Sequence, residues 1–342
     1  MFAVKTIFAH AAGMPDAAQR GSAGRGRGRG GSGRSGPPTT KKSAAPPLPP
    51  PHVIEPTVAH AFSVVCCHPF CMSPEEYAAD VLPRLAKAAL DVSRVRFVFL
   101  QAPRRKISCY DGNPSERAWH DYLTDHGGDE GRPELEEEIN GAHLATCRAQ
   151  IHRAVDAEAA ALAAAGGLRR VALMGESQGA CVAADAAVTH RGPGAPAGVF
   201  CSYGQLYKPT PIATPSKKQA QLRFYAFHGA GDRCIAASLA MRSYAQLIDA
   251  GYRRVTIHVE PKLTHSQRSA AEDALLATAL KDWGALDAPP PPPPERAPAP
   301  PAAERAPAAV AATTAVLAKP SADELVDGIA RLDIERQASP ES

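Results

Sequence analysis

Residues 171–180 read VALMGESQGA, an apolar run followed by Gly-x-Ser-x-Gly and the small residues that open a helical pattern. This pattern predicts a strand over 169–174, a tight turn and then a helix. Such a corner lifts the serine hydroxyl out of the sheet at the carboxyl end of the strand. Glycines flank the serine because strand and helix crowd against the turn. Ser177 is therefore the candidate nucleophile, and the alternative is an ordinary turn residue.

The two ends of the 342-residue chain differ from the middle. Residues 1–57 form a basic segment rich in Gly, Arg and Pro, and residues 287–342 are rich in Pro and Ala. Neither end has enough large apolar side chains to offset the entropy of ordering, so both are predicted to be disordered tails. Residues 58–286 remain, and their length suits one α/β domain with a sizeable core.

Charge is distributed unevenly along the chain, although the formal net charge is only +3. Residues 1–54 carry eight Lys/Arg and a single acidic residue, so the rest of the chain is net acidic. The Arg-Gly run at 25–31 resembles RNA-binding segments, but one short run is weak evidence and nucleic acid is an unlikely partner. In the C-terminal tail, residues 289–294 predict a polyproline II spacer, and residues near 322–336 predict a short amphipathic helix.

The eight cysteines are scattered, and none has the spacing of a zinc site or of a disulfide framework. We expect them to serve in packing or to face solvent in a reducing compartment, the cytoplasm. The Arg-rich, acid-poor N terminus leaves an organelle transit peptide as the alternative. No apolar stretch reaches 18 residues, so no integral membrane segment is expected. The oligomeric state is left open.

Strand and helix patterns alternate through the central segment, with a long helix predicted over 133–165 and a long loop over 101–131. The remaining predicted strands lie near 61–67, 95–100, 197–202, 222–227 and 254–259. One further helix is predicted to begin at Ser73, and two others are predicted to span 235–250 and 267–284. This alternation predicts an α/β fold, a mostly parallel sheet with helices on both faces. An active site in such a sheet lies at the carboxyl ends of the strands.

A serine needs a base, and the base needs an acid that orients it. His265 follows the last predicted strand and is the candidate base, while Asp232 follows the strand before it and is the candidate acid. The order Ser, Asp, His is that of the α/β-hydrolases. Asp121 is a rival acid, but it precedes the serine. His228 and His68 are expected to have structural rather than catalytic roles.

Three motifs fall in the same order as in one known family: GESQG at 175–179, HGAGD at 228–232 and THS at 264–266. Further matches are QAP at 101–103 and AWHD at 118–121. Over about 58–286 the chain resembles the acyl-protein thioesterase/phospholipase-carboxylesterase family of serine hydrolases. The resemblance implies an α/β-hydrolase core without a large cap domain. It also implies cleavage of acyl thioesters, including S-palmitoyl cysteine, or of carboxylic esters, with no cofactor and no metal.

The resemblance further implies an oxyanion hole made by the backbone N–H groups of Gln178 and Phe70. The family usually has His-Gly where His68-Pro69 stands here. Proline removes one N–H, but the Phe70 N–H remains. Glu176 also departs from the family pattern, and its carboxylate is expected either to repel anionic substrates or to point to solvent.

Trp119, Leu206 and Tyr207 are predicted to border the substrate groove, with a structural anchor as the alternative role for Trp119. The function that these features predict is a serine hydrolase acting on an acylated protein or a small ester. One alternative is a small-molecule carboxylesterase or lysophospholipase. Another is a catalytically weak hydrolase-like scaffold that binds partners through its tails.

Overall fold

The computed structural model describes residues 48–127, 131–192 and 194–287. Its strands are β1 His52–Ile54, β2 Phe62–Cys67, β3 Val95–Leu100, β4 Arg104–Lys106, β5 Ser115–Arg117, β6 Val171–Glu176, β7 Gly198–Ser202, β8 Arg223–Gly229 and β9 Arg254–Glu260. Its helices are α1 Pro74–Lys87, α2 Gly141–Ala161, α3 Gln178–Thr189, α4 Ala237–Ala250 and α5 Ala270–Asp282. The Arg-Gly run, the proline run and the predicted helix near 322–336 lie outside these residues.

Seven strands form one sheet in the order β1-β3-β2-β6-β7-β8-β9. All neighbouring pairs are parallel except β1 with β3. The prediction of a mostly parallel α/β sheet is confirmed. β4 and β5 form a separate antiparallel hairpin in the long connection after β3. Over the residues that the structure describes, no helical domain is inserted into this connection. None of the helices in the described part of the chain is long and apolar enough to cross a membrane.

Helices cover both faces of the sheet because the central strands are apolar on both sides. In β2, Phe62 and Val64 belong to the core beneath α1 and α5, whereas Val65 and Cys67 belong to the core beneath α2, α3 and α4. Alternate side chains of a strand point to opposite faces, which is how one strand serves both cores. The parallel strands therefore end at one common edge, where the loops after β2, β6, β8 and β9 meet.

The second helix begins later than the sequence pattern predicts. It starts at Gly141 rather than at Pro133, because the side chain of Asn140 accepts the N–H groups of Ala142 and His143 and caps the helix there. The glutamates at 134 and 136–138 therefore precede the helix and do not lie in its first turn. Glu137, for example, accepts the Thr124 hydroxyl at 2.7 Å and stabilises the preceding loop instead.

The sheet also extends further towards the N terminus than predicted. β1 pairs with β3 through residues that the sequence analysis assigned to the N-terminal tail. Three residues, His52 to Ile54, lie between Pro51 and Pro56, and such a short run gives almost no strand signal on its own. Its pairing depends on the exposed edge of β3, which only the folded sheet provides.

Candidate active site

A single residue forms the turn between β6 and α3. β6 ends at Glu176 and α3 starts at Gln178, so Ser177 alone makes the corner, with φ +53° and ψ −124°. A non-glycine residue in this region of backbone space is strained by roughly 1–3 kcal/mol, and such strain is typical of functional sites. A Cβ on Gly179 would lie 2.0 Å from the carbonyl oxygen of Cys67. Glycine is therefore required there, as the motif predicts.

Ser177, His265 and Asp232 form a continuous hydrogen-bonded chain. The Oγ atom of Ser177 lies 2.8 Å from Nε2 of His265, and Nδ1 of His265 lies 2.8 Å from Oδ2 of Asp232. A carboxylate only accepts, so the ring proton is on Nδ1, and the Nε2 lone pair faces the serine hydroxyl. The three residues that the sequence singled out therefore lie together, in the geometry of a nucleophile, a base and an orienting acid.

The Asp232 carboxylate is buried, and both of its oxygens accept hydrogen bonds. Oδ1 accepts the backbone N–H groups of Cys234 and Ile235 at 2.8 and 2.9 Å. Burial raises the pKa of Asp232, but the hydrogen bonds of His228 and His265 outweigh it and hold that pKa well below its ordinary value. The carboxylate therefore stays ionised beside His265 and favours the imidazolium that forms when the base takes a proton.

The loops that carry Asp232 and His265 are bonded to each other. The N–H of Gly231 donates to the Leu263 carbonyl at 2.9 Å. A Cβ on Gly229 would lie 2.3 Å from that same carbonyl oxygen. This close approach explains the glycines of the HGAGD motif. The expected structural role of His228 fits its geometry, since its Nε2 lies 2.7 Å from the Ile235 carbonyl and 3.1 Å from Asp232.

The rival acid Asp121 does not reach the histidine. Its carboxylate accepts the backbone N–H and the hydroxyl of Ser108, both at 2.7 Å. Asp121 therefore closes the long loop after β3, and only Asp232 among the two candidates bonds His265.

The loop after β2, which carries the predicted oxyanion donor Phe70, is fixed by His68. The N–H of Ala102 donates to His68 Nε2 at 3.0 Å, so the ring proton is on Nδ1 and donates to the Pro69 carbonyl at 2.7 Å. Burial lowers the pKa of His68 to about 4, which keeps the ring neutral in this arrangement. The carbonyl of Pro69 and the N–H of Phe70 belong to one peptide unit, so this bond also orients that N–H.

Neither predicted oxyanion donor is occupied by a backbone or side-chain acceptor in the described part of the chain. Gln178 is the first residue of α3, where N–H groups have no partner within the helix. Its side chain is held elsewhere, since Oε1 accepts the Trp119 N–H at 2.8 Å. Both main-chain donors thus remain available for a ligand.

The three predicted groove residues are buried. Trp119 is fully buried, and its indole N–H donates to the His68 carbonyl at 2.8 Å, so its observed contact is that of an anchor for the oxyanion loop. Leu206 and Tyr207 are also buried, and the Tyr207 hydroxyl contacts His120 at 3.0 Å. Partly exposed aromatic rings lie nearer the loop surface, where Phe70 packs against Tyr110 and Tyr122.

The Glu176 side chain does not point to solvent. It is 2% exposed, and its carboxylate lies 2.5 Å from Nη2 of Arg268. Arg268 also pairs with Asp80 at 2.5 Å and lies 3.5 Å from Glu272. The expectation that this carboxylate points to solvent is therefore wrong, and Arg268 balances its charge inside the protein. The pair joins the residue before Ser177 to the loop that carries His265.

Sequence reasoning missed Arg268 and Tyr203 at this site. The Tyr203 ring packs against His265 with centroids 5.7 Å apart, and its hydroxyl donates to the Gln267 carbonyl. Arg268 follows His265 by three residues, but no local pattern marks it as the partner of a glutamate 92 residues away. No signal in the sequence indicates either contact.

Comparisons with known proteins agree with this architecture. The sequence model of the phospholipase/carboxylesterase family matches residues 49–275. No curated protein sequence matches the chain significantly. Among solved structures, Arabidopsis thaliana SOBER1 is 16% identical with a TM-score of 0.54, covering 65% of this chain and 98% of its own.

Two further solved structures share the fold at similar distance. Zea mays acyl-protein thioesterase 2 is 17% identical with a TM-score of 0.54, covering 68% of this chain and 99% of its own. The Bacillus cereus carboxylesterase is 13% identical with a TM-score of 0.50, covering 68% of this chain and 93% of its own. The fold, the hydrogen-bonded serine at the strand end and the family match lead to one conclusion: the chain belongs to the phospholipase/carboxylesterase family and is an α/β-hydrolase that cleaves esters.

Proposed function

We propose that the protein is a serine hydrolase that cleaves acyl thioesters or carboxylic esters through Ser177, His265 and Asp232. The observation that carries the proposal is the unbroken chain of two 2.8 Å hydrogen bonds from Ser177 through His265 to Asp232. A serine becomes a useful nucleophile only when a base takes its proton, and this arrangement supplies the base and its orienting acid.

The reaction follows from these contacts. His265 takes the hydroxyl proton through Nε2 while Ser177 Oγ attacks the acyl carbonyl, and the carbonyl oxygen becomes negative. The N–H groups of Gln178 and Phe70 would stabilise that oxygen. His265 then gives its proton to the leaving thiol or alcohol. In the second half, His265 activates water, which releases the acid and restores Ser177. Each oxyanion donor is worth roughly a hundred- to thousandfold in rate.

The substrate class is part of the proposal. The name of the Zea mays neighbour describes a protein thioesterase and that of the Bacillus cereus neighbour a carboxylesterase, and at such low identity both inform the fold alone. The half-buried aromatic rings of Phe70 and Tyr110 beside the oxyanion loop favour an acyl chain as the group that binds there. We propose acylated proteins, with small esters as the alternative, and the cytoplasm as the compartment, since no disulfide joins the eight cysteines.

The scaffold alternative is disfavoured by two contacts. The Pro69 carbonyl is held by His68 at 2.7 Å, which orients the next N–H despite the proline. The Glu176 carboxylate is paired with Arg268 rather than exposed beside the nucleophile. Both departures from the family pattern are therefore accommodated without disturbing the serine.

A fluorophosphonate probe followed by mass spectrometry tests the nucleophile. We expect an adduct on Ser177 in the wild type and in Ser216→Ala, a control at an exposed serine, and no adduct in Ser177→Ala. Ester turnover should fall by roughly a millionfold in Ser177→Ala. Near-wild-type hydrolysis by a clean Ser177→Ala preparation would end the proposal. Rates on an S-palmitoyl peptide and on short-chain aryl esters then separate the two substrate classes.

A further inference from the structure

A thiol lies beside the proposed triad. Cys234 follows Asp232 by two residues, and its backbone N–H donates to Asp232 Oδ1 at 2.8 Å. The Cys234 sulfur, one carboxylate oxygen of Asp232 and one ring nitrogen of His265 all lie within 4.8 Å of one another. Asp232 is buried, whereas Cys234 and His265 are partly exposed, so the cluster borders solvent on one side.

These three groups are the donor types that zinc prefers. A thiolate, an imidazole and a carboxylate bind Zn²⁺ at about 2.3, 2.0 and 2.0 Å, whereas Mg²⁺ and Ca²⁺ favour oxygen ligands alone. Tetrahedral angles with such bonds place the donor atoms of this set roughly 3.3–3.5 Å apart. Nδ1 of His265 and Oδ2 of Asp232 are 2.8 Å apart and would separate by about 0.5 Å, and the thiol, which lies within 4.8 Å of the other two donors, would approach by roughly 1.3 Å at most. Side-chain rotation alone supplies movements of that size.

We propose that Asp232, Cys234 and His265 form an inhibitory site for Zn²⁺ or a divalent cation of the same class. The cation takes the Nδ1 lone pair of His265, and the ring proton moves from Nδ1 to Nε2. The Cys234 thiol loses its proton to solvent, so one proton leaves for each cation bound. With a proton on Nε2, His265 donates to Ser177 instead of accepting from it. One bound cation therefore removes the base and leaves the serine unactivated.

This inference rests on the proposed function for its effect on rate, but binding is measured without any substrate. The full chain carrying Ser177→Ala is freed of metal and titrated with Zn²⁺ by calorimetry and with Co²⁺ by absorption. We expect a site that binds one Zn²⁺ and a thiolate-to-cobalt charge-transfer band, both lost on adding Cys234→Ala or His265→Ala. Cys109→Ala, which removes another partly exposed thiol, should leave both signals intact. Mg²⁺ should give no binding at this site.

The rate measurement uses the chain with Ser177 in place, and each variant is compared with its own metal-free rate. Zn²⁺ should inhibit ester hydrolysis, and EDTA should restore it. Cys234→Ala should raise the Zn²⁺ concentration for half-inhibition by at least about tenfold, because losing a ligand weakens a metal site more than losing one of its supporting hydrogen bonds does. Cys234→Ser, which keeps the size of the side chain, should act in the same direction.

Two results overturn the site. One is equal Zn²⁺ binding with and without the Cys234 thiol, and the other is a Co²⁺ complex that lacks the charge-transfer band. The test of the metal site does not depend on the proposed function. If the chain binds Zn²⁺ through Cys234 but hydrolyses no ester, the metal site is supported and the proposed function is contradicted.

Discussion

Replacing Arg268 with methionine tests whether a buried ion pair holds the site together. Nη2 of Arg268 lies 2.5 Å from the Glu176 carboxylate, which is 2% exposed. Methionine keeps most of the side-chain volume but removes the positive charge. Glu176 is then left as a buried negative charge without its counterion, directly before Ser177.

The expected loss follows from that stranded charge. Removing one partner of a buried ion pair destabilises a protein by about 3–5 kcal/mol. The Arg268 side chain is 30% exposed, so water screens the pair in part and the lower end, about 3 kcal/mol, applies. For a domain of this size such a loss lowers Tm by roughly 6–12 °C. Because misplacing catalytic groups by 1 Å costs about a hundredfold in rate, kcat should fall about ten- to hundredfold.

Calorimetry and steady-state ester hydrolysis measure the two effects. Arg242→Met, at an exposed position on α4, is the matched control and should change neither Tm nor kcat appreciably. Adding Glu176→Gln to Arg268→Met removes the stranded charge and should recover at least about 1 kcal/mol, the coupling typical of contacting residues. The reasoning is refuted if Arg268→Met melts within a degree of the wild type, or if the double variant recovers nothing.

Three further predictions concern the elbow, the oxyanion loop and acid stability. Gly179→Ala should abolish folding or activity because its Cβ would lie 2.0 Å from a backbone oxygen, whereas Gly141→Ala, with open space around it, should be tolerated in expression and rate assays. Trp119→Phe leaves the His68 carbonyl without its donor and should cost about 1–3 kcal/mol of stability, lowering kcat more than it raises KM. Burial lowers the pKa of His68 to about 4 and of His120 to about 3. As the pH falls, these imidazoles take up protons in the unfolded chain, near pH 6.5, before they do so in the folded protein. The free energy of unfolding is therefore highest above about pH 6.5 and falls towards pH 4 by up to about 1.4 kcal/mol per pH unit for each imidazole. Chemical denaturation from pH 7.5 to 4.5 measures that slope, and a flat profile would contradict the neutral imidazoles.

Much of the site is encoded locally. The turn at Ser177 is visible because a strand, a tight corner and a helix each leave a short-range signature, and the corner needs a glycine at 179. Asp232 and His265 are visible because each follows a predicted strand in a polar loop, and the loop of Asp232 also contains glycine. The cap of α1 is equally local: the Ser73 hydroxyl accepts the Glu76 N–H, and the Glu76 carboxylate accepts the Ser73 N–H.

Other features depend on distant parts of the chain. The sequence pattern predicts that α2 begins at Pro133, near the glutamates at 134 and 136–138, but the cap that starts the helix is Asn140. The short strand β1 has almost no local signal because three residues form a strand only against an existing sheet edge. The burial of Trp119 likewise depends on a distant group, since its indole N–H donates to the carbonyl of His68, 51 residues away.

The sequence by itself determined the α/β alternation, the serine on its corner and the order of nucleophile, acid and base, because periodicity and turn chemistry act over a few residues. Only the tertiary structure decided that Glu176 is neutralised by Arg268, that His68 holds the loop around Pro69, and that Cys234 lies beside the triad. The first is a contact between side chains 92 residues apart, the second needs the N–H of Ala102, 34 residues away, to fix the His68 ring, and the third brings Cys234 near His265 across two loops. Their energies depend on distance and burial, which no local pattern records.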